Sequence, residues 1–328
     1  MHVYLDNAAT TPLAPEVAEV MIPILKNQFG NPSSTHFLGR QTRAIIENAR
    51  RTICSKLNCL PSEIIFTSGG SEADNMVFHT SIRNLGVKHI ITSQMEHHAV
   101  EHTTEWVKTL YPGVHISHVK LDAKGNVDLE DLERLITSTN EKTLVSLMHA
   151  NNEISTVLPL KKVSAIARKH NAYFHSDTVQ TMGHYAFDLQ DLDIDFITCA
   201  AHKFHGPKGV GFLYCNHKIN CASLIQGGSQ ERGHRGGTEN VYGIAGLAKA
   251  IELAYDGLDE HIAHVQGVKS LMMKELKEEI EGVEFIGETN PEKSLYTVLN
   301  VSFPRTEKAS MLLFTLDLKG VCASGGSA

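Results

Sequence analysis

Between residues 64 and 214 the sequence alternates two kinds of segment. Short apolar runs rich in β-branched residues read as buried strands: Ile64–Thr67, His89–Ser93, Thr143–Met148, Tyr173–His175, Phe196–Cys199 and Val210–Tyr214. Between many of them apolar residues recur at helical spacing. Leu160, Val163, Ile166 and Ala167 precede Tyr173, and the segment from Val127 to Ile136 precedes Thr143. Strands alternating with helices predict an α/β domain with a mostly parallel sheet.

The pattern changes after about residue 245. Ile262, Val265, Leu271, Met272, Leu276 and Ile280 predict one long amphipathic helix, Leu295–Phe303 a strand and Ala309–Leu318 a helix. These elements read as the start of a second, smaller α+β domain. The length agrees, since 328 residues at about 150 per domain make roughly two domains.

Composition removes several classes of function. Hydrophobic residues make up 42% and charged residues 20%, enough apolar material for a packed core. Against 30 Lys and Arg stand 37 Asp and Glu, a net charge of −7, so no direct nucleic-acid partner is expected. No apolar run reaches about 18 residues, so no membrane span is expected. The first residues, Met1 to Asp6, lack the basic-then-apolar pattern of a signal peptide. Six scattered cysteines without a C-x-x-C pair read as reduced thiols of a cytoplasmic protein. Nineteen histidines raise the question of a metal. His97, His98 and His102 are the candidates, and the last two, four apart, would share a helix face. No carboxylate or cysteine completes a compelling set with them, so no metal is expected.

Three stretches carry chemistry. Thr67-Ser68-Gly69-Gly70-Ser71-Glu72-Ala73-Asp74-Asn75 follows a predicted strand and opens a predicted helix. Glycines there let backbone N–H groups approach an anion at a helix N-terminus, although a Ser-capped turn has the same sequence. His175-Ser176-Asp177-Thr178-Val179-Gln180 ends another strand, which puts Asp177 at the sheet's carboxyl edge or makes it a plain helix cap. Ala200-Ala201-His202-Lys203-Phe204-His205-Gly206-Pro207 follows the next strand. A lysine there either lies exposed on a turn or is desolvated enough to form a Schiff base. Together, an anion loop, a strand-end aspartate and a strand-end lysine are the parts pyridoxal phosphate requires.

With Tyr4–Pro12, Gly30–Ser34, Thr67–Glu72, Glu96–Val100, Asn151–Ile154, Asp177–Gln180, His202–Gly211 and Arg232–Thr238 in that order, the chain resembles the cysteine desulfurases of the class-V aminotransferase type, in particular the NifS/IscS-like group. The resemblance runs from residue 4 to residue 328. It implies a pyridoxal-phosphate-dependent transferase of fold type I: an arm over 1–14 joining the small domain, a large cofactor domain over 15–255 with a mostly parallel seven-stranded sheet, and a small, truncated domain over 256–328. The activity implied is conversion of L-cysteine to L-alanine. The sulfur would be delivered as a protein-bound persulfide for iron–sulfur cluster or tRNA-thiolation pathways. A selenocysteine lyase, another aminotransferase and an inactive partner subunit remain open alternatives.

The resemblance also implies roles. Lys203 would hold the cofactor's aldehyde and Asp177 would face its pyridine nitrogen. Gln180 and Asn152 would lie at its phenolic oxygen. His97 would stack on the ring and act as an acid–base group. Gly70, Ser71 and His202 would bind the phosphate, and Thr238 would reach the phosphate of the other subunit in a homodimer. A sulfur-acceptor or scaffold protein is the implied partner. Two departures stand out. Some relatives have a phosphate-binding Ser where this chain has Ala200. The loop Ser324-Gly325-Gly326-Ser327-Ala328 matches the approach to the family's nucleophilic cysteine, which would be the next residue; Cys322 matches no family nucleophile. The chain as it stands is therefore expected to be a shortened version of a longer protein, to lack that nucleophile and to be inactive.

Overall fold

The computed structural model describes residues 2–306 and 309–326. In chain order the elements are β1 (Val3–Tyr4), α1 (Pro15–Asn27), α2 (Phe37–Leu57), β2 (Ile64–Thr67), α3 (Gly70–Arg83), β3 (His89–Thr92) and α4 (His98–Leu110). Then follow β4 (His115–His118), α5 (Leu129–Thr137), β5 (Thr143–Ser146), α6 (Leu160–Lys169), β6 (Tyr173–Asp177), α7 (Leu189–Leu192), β7 (Phe196–Ala200) and β8 (Gly211–Cys215). The last are α8 (Val241–Asp256), α9 (Leu258–Glu279), β9 (Glu284–Ile286), β10 (Asn300–Ser302), α10 (Leu312–Leu318) and β11 (Val321–Cys322).

Seven strands form one sheet in the order β2-β8-β7-β6-β5-β3-β4. Only β8 runs against its neighbours, so the expected mostly parallel sheet is present. Side chains of successive strand residues point to opposite faces. Ile64, Phe66, Phe212 and Tyr214 pack in the core layer that contains residues of α1, α2, α5, α6 and α8. Ile65 and Leu213 pack with α3 and α4 on the other face. Helices thus cover both faces, which is why the strands read as nearly continuous apolar runs.

One strand escaped sequence reading. β4 lies at the sheet edge, and its residues, His-Ile-Ser-His, are exposed or half-buried. An edge strand with little buried surface leaves almost no apolar signature.

The C-terminal part differs in detail from expectation. The long helix is α9, but the strand expected over Leu295–Phe303 is confined to Asn300–Ser302, paired antiparallel with β9. Leu295 and Tyr296 instead turn inward and pack with Ala150 and Val298, against Ile262 and Val265 of α9. Their apolar character comes from burial in this cluster and not from strand pairing. The helix expected over Ala309–Leu318 begins as a 3-10 turn, Ala309–Met311, before α10. The chain's two ends meet: β1 pairs in parallel with β11, Val3 opposite Val321 and Tyr4 opposite Cys322.

Candidate active site

In the parallel strands, every chain segment leaving the carboxyl end arrives at one edge of the sheet, and open α/β sheets bind ligands there. Gly70 and Ser71 follow β2, His97 follows β3, and Asn152 follows β5. Asp177 ends β6, with Gln180 just beyond, and His202 and Lys203 follow β7. These eight residues line one cavity of about 270 Å³. The ninth candidate, Thr238, is exposed and lies outside this lining.

Lys203 sits in a short 3-10 turn (Ala201–Lys203) directly after β7. Its Nζ donates to the carbonyl oxygens of Ala8 and Ala9, the latter at 3.0 Å. Gln180 Nε2 also donates to Ala8 O, at 3.0 Å. The N-terminal segment is fixed against the lysine turn by Thr11, whose Oγ1 donates to His202 O at 2.9 Å. Burial lowers the Lys203 amine below the usual lysine range, although Asp177 and Asp6 pull the other way. An amine that releases its proton more readily is a better nucleophile toward an aldehyde.

Asp177 is 5% exposed, and among the described residues it makes no ion pair. Its Oδ1 accepts the Val179 N–H at 2.8 Å. Burial, helped by Asp74, pushes its carboxyl up to about 6. A buried carboxyl facing a cavity without a cation of its own suits a ligand that brings one, such as a protonated ring nitrogen.

The opposite end of the cavity suits an anion. Gly70 opens α3, so unpaired backbone N–H groups face it. A Cβ at Gly70 would lie 2.6 Å from Val179 Cγ2, in the turn after β6, so glycine lets the helix start sit this close to that turn. His202 stands alongside, with Nδ1 3.2 Å from Thr10 Oγ1. Burial and the nearby Lys203 and Lys208 push its imidazole down to about 4. Glu72, in the first turn, accepts from Ser68 N at 2.8 Å and pairs with Arg235 at 2.9 Å, which offsets its charge beside the anion end. The lysine, the buried carboxyl and this anion end fit pyridoxal phosphate in three chemically different ways.

His97 is the N-cap of α4, its Nδ1 accepting from Ala99 N at 3.1 Å. Burial lowers its imidazole below the ordinary histidine range. A neutral ring that accepts at Nδ1 carries its proton on Nε2.

Several cavity groups were missed in the sequence. Asp74, inside α3, is 1% exposed and lines the cavity. Asp6 and Ser324, from opposite ends of the chain, line it too and are joined by a 2.8 Å hydrogen bond from Ser324 Oγ to Asp6 Oδ1. Glu96 braces the His97 loop, accepting from Ser93 Oγ at 2.8 Å and from Met148 N at 3.0 Å. Asp6, Glu96 and Ser324 fall within the motifs that carry the family resemblance, but no role at the cavity was read for any of the four. Their positions follow from which loops meet at the sheet edge.

A helix start open to an anion, a buried acid and a strand-end lysine meet on one α/β edge, the arrangement of a cofactor-dependent transferase. The sequence matches the family Aminotransferase class-V over residues 3–328. It is 45% identical, over 328 residues, to the protein named cysteine desulfurase IscS from Dictyoglomus turgidum, covering 99% of this chain and 82% of that one. A solved structure described as a NifS-like protein superposes with a TM-score of 0.93 at 38% identity, covering 99% of this chain and 88% of the other. A second, SspA in complex with cysteine, gives a TM-score of 0.82 at 30% identity, covering 99% and 89%. The chain belongs to the class-V aminotransferase family.

Proposed function

We propose that this protein is a pyridoxal-phosphate-dependent cysteine desulfurase that converts L-cysteine to L-alanine and passes the sulfur on as a persulfide. The observation that carries the reading is the shared cavity of Lys203, Asp177, His97 and the Gly70 helix start. The relatives named as cysteine desulfurases support it.

Lys203 would hold the aldehyde carbon, Asp177 the ring nitrogen, Gln180 and Asn152 the phenolic oxygen, and Gly70, Ser71 and His202 the phosphate. When bound, the protonated ring would withdraw electrons from the substrate's Cα and so weaken the bonds next to it. His97 lines the cavity and would accept a proton from the substrate at Nε2 once Nδ1 gives up the Ala99 N–H and takes the ring proton. Lys203, once displaced by the substrate amine, is the second base within reach.

The reading includes a homodimer in which Thr238 reaches the partner's phosphate. Thr238 is exposed, and Phe29 and Phe37 are 82% and 62% exposed, which supports a further covering surface. It also includes the division into an arm over 1–14, a body over 15–255 and a C-terminal part over 256–328. The pairing of β1 with β11 supports an arm that joins the C-terminal part. The unpaired cysteines support a reducing, cytoplasmic setting. A separate sulfur acceptor or scaffold protein would take the persulfide. Among the described residues no cysteine lines the cavity. We therefore propose that the described residues supply the cofactor chemistry, and that the thiolate taking the sulfur as the substrate's Cβ–S bond breaks comes from outside them.

The test is borohydride reduction of the protein mixed with pyridoxal phosphate, followed by peptide mapping and by L-cysteine titration of an unreduced sample. The expected result is an adduct on Lys203 and a change in the cofactor spectrum on adding L-cysteine, with no persulfide on these residues. No adduct on Lys203 would overturn the cofactor assignment. Amino-group transfer to a keto acid would overturn the desulfurase assignment. A persulfide on any of the six cysteines would overturn the last part.

A further inference from the structure

We propose that the exposed start of α4 is a binding site for a divalent transition metal of the zinc class, with His98, Glu101 and His102 as ligands. The inference is independent of the cofactor reading, because none of the three residues lines the cavity.

An α-helix rises about 1.5 Å per residue, so positions i, i+3 and i+4 form one patch on its surface. In α4 that patch is His98, Glu101 and His102, and one ligand atom from each lies within 4.8 Å of the others. His98 Nδ1 and the Glu101 Oε2 are 3.6 Å apart, and the two imidazole rings are 5.0 Å apart. Zinc binds imidazole nitrogen and carboxylate oxygen at about 2.0–2.2 Å, which requires ligand atoms somewhat closer together than this outer limit. All three side chains are exposed, so small rotations can close the set without disturbing packing.

Sequence reading considered His98 and His102 but found no carboxylate to complete them. The helix supplies it: Glu101 shares their face. In zinc hydrolases with the His-x-x-Glu-His spacing the glutamate is the base, and a third ligand comes from another element. Here, among the described residues, no other His, Cys, Asp or Glu joins the cluster. Glu101 must then serve as ligand, and the chemistry is binding rather than hydrolysis. Three protein ligands leave a fourth position for water or an exchangeable small molecule.

Position in the helix sets the strength. The patch lies in the first two turns of α4, where the helix dipole opposes a cation. The Glu101 carboxylate offsets part of that opposition. The result is an exchangeable site and not a structural one. It lies one residue from His97, whose ring is 6.1 Å from that of His98, so a dication there would further disfavour protonation of His97.

The test is titration of the chelator-treated full chain with Co2+, followed by displacement with Zn2+. The expected result is one equivalent of Co2+ per chain with a spectrum lacking thiolate charge-transfer bands. His98→Ala and His102→Ala should each weaken binding more than about tenfold, since even outer-shell changes cost that much. Glu101→Gln should weaken it less. The circular dichroism and thermal midpoint of each variant should match the parent, because the side chains are exposed. Unchanged binding in the double histidine variant would overturn the proposal. So would thiolate bands, which would move the metal to a cysteine, or no uptake of Co2+ at millimolar concentration.

Discussion

Asp74 Oδ1 and His175 Nε2 stand 3.5 Å apart in the core, and neither atom has a hydrogen-bond partner. His175 and Asp177 are two residues apart on β6 and so face the same side of the sheet, toward α3, which carries Asp74. Burial pushes Asp74 up to about 7 and His175 down to about 4, so the histidine is neutral at pH 7. Among the described residues, Glu96, His97 and Lys203 also couple to this layer through Asp74 or Asp177. Two buried carboxyls with no cation between them resist ionising together, and Asp74 is the one better placed to keep its proton.

That arrangement makes the cofactor-free protein sensitive to pH. A carboxyl raised from its ordinary value of 3.8 to about 7 in the folded state favours folding fully below the lower value and loses that preference as pH rises through the higher one. Asp74→Asn removes the group. Between about pH 4 and pH 7 the parent should lose stability relative to this variant, on the order of a few kcal/mol. Thermal midpoints of both proteins across that range measure it. Parallel curves would show that Asp74 does not titrate there.

Gly70→Ala should weaken pyridoxal-phosphate binding. The new Cβ would meet Val179 Cγ2 at 2.6 Å, forcing apart the α3 start and the turn after β6. Overpacking of this kind costs about 1–3 kcal/mol, which corresponds to roughly a 5- to 150-fold rise in Kd. Fluorescence titration with the cofactor reads the change, and an unaltered Kd would place the phosphate elsewhere.

His97→Ala should leave the cofactor bound while slowing the spectral change that follows addition of L-cysteine. Loss of a general acid–base group costs about 10²- to 10⁴-fold in rate. In the parent, the rate should fall as pH drops through the lowered value of the His97 imidazole, because only the neutral ring accepts a proton. Stopped-flow absorbance against pH tests both statements. An equal rate in the variant would assign the proton transfer to Lys203.

Arg50→Ala should destabilise the whole fold without touching the cavity. Arg50, 2% exposed, donates to both Glu231 carboxylate oxygens at 2.8 and 3.0 Å and to Ile64 O at 2.6 Å. Glu231 in turn accepts the Phe66 N–H at 2.9 Å. The pair thus ties α2, β2 and the loop before α8 together. Removing one partner leaves a buried, unpaired charge, a loss of about 3–5 kcal/mol in urea unfolding. A double variant with Glu231→Gln should recover part of it.

Local chemistry made much of the protein legible. Six of the seven strands of the main sheet were visible because both faces of the sheet are covered, so each carries a core of apolar or β-branched residues despite buried polar ones such as His89 and His175. Gly70, Asp177 and Lys203 stood out together, because each lies at or just beyond a strand's carboxyl end and the three supply complementary chemistry, although each alone has an ordinary structural reading. The family resemblance, resting on ordered short motifs, added His97, Gln180 and Thr238, which no periodicity marks.

What remained hidden depended on contacts between distant segments. Asp74 sits in a helix interior that gives no hint of a cavity. Arg50 and Glu231 are 181 positions apart, and Asp6 and Ser324 are 318 apart. Leu295 looked like a strand residue because burial in a cluster and burial in a sheet demand the same apolar side chain. The sequence by itself determined the α/β class, the order of its strands along the chain and the residues capable of the chemistry, since those rest on short-range periodicity and residue type. Only the tertiary structure decided which ionisable groups lose water together, because desolvation and charge coupling depend on what the fold brings within a few ångströms.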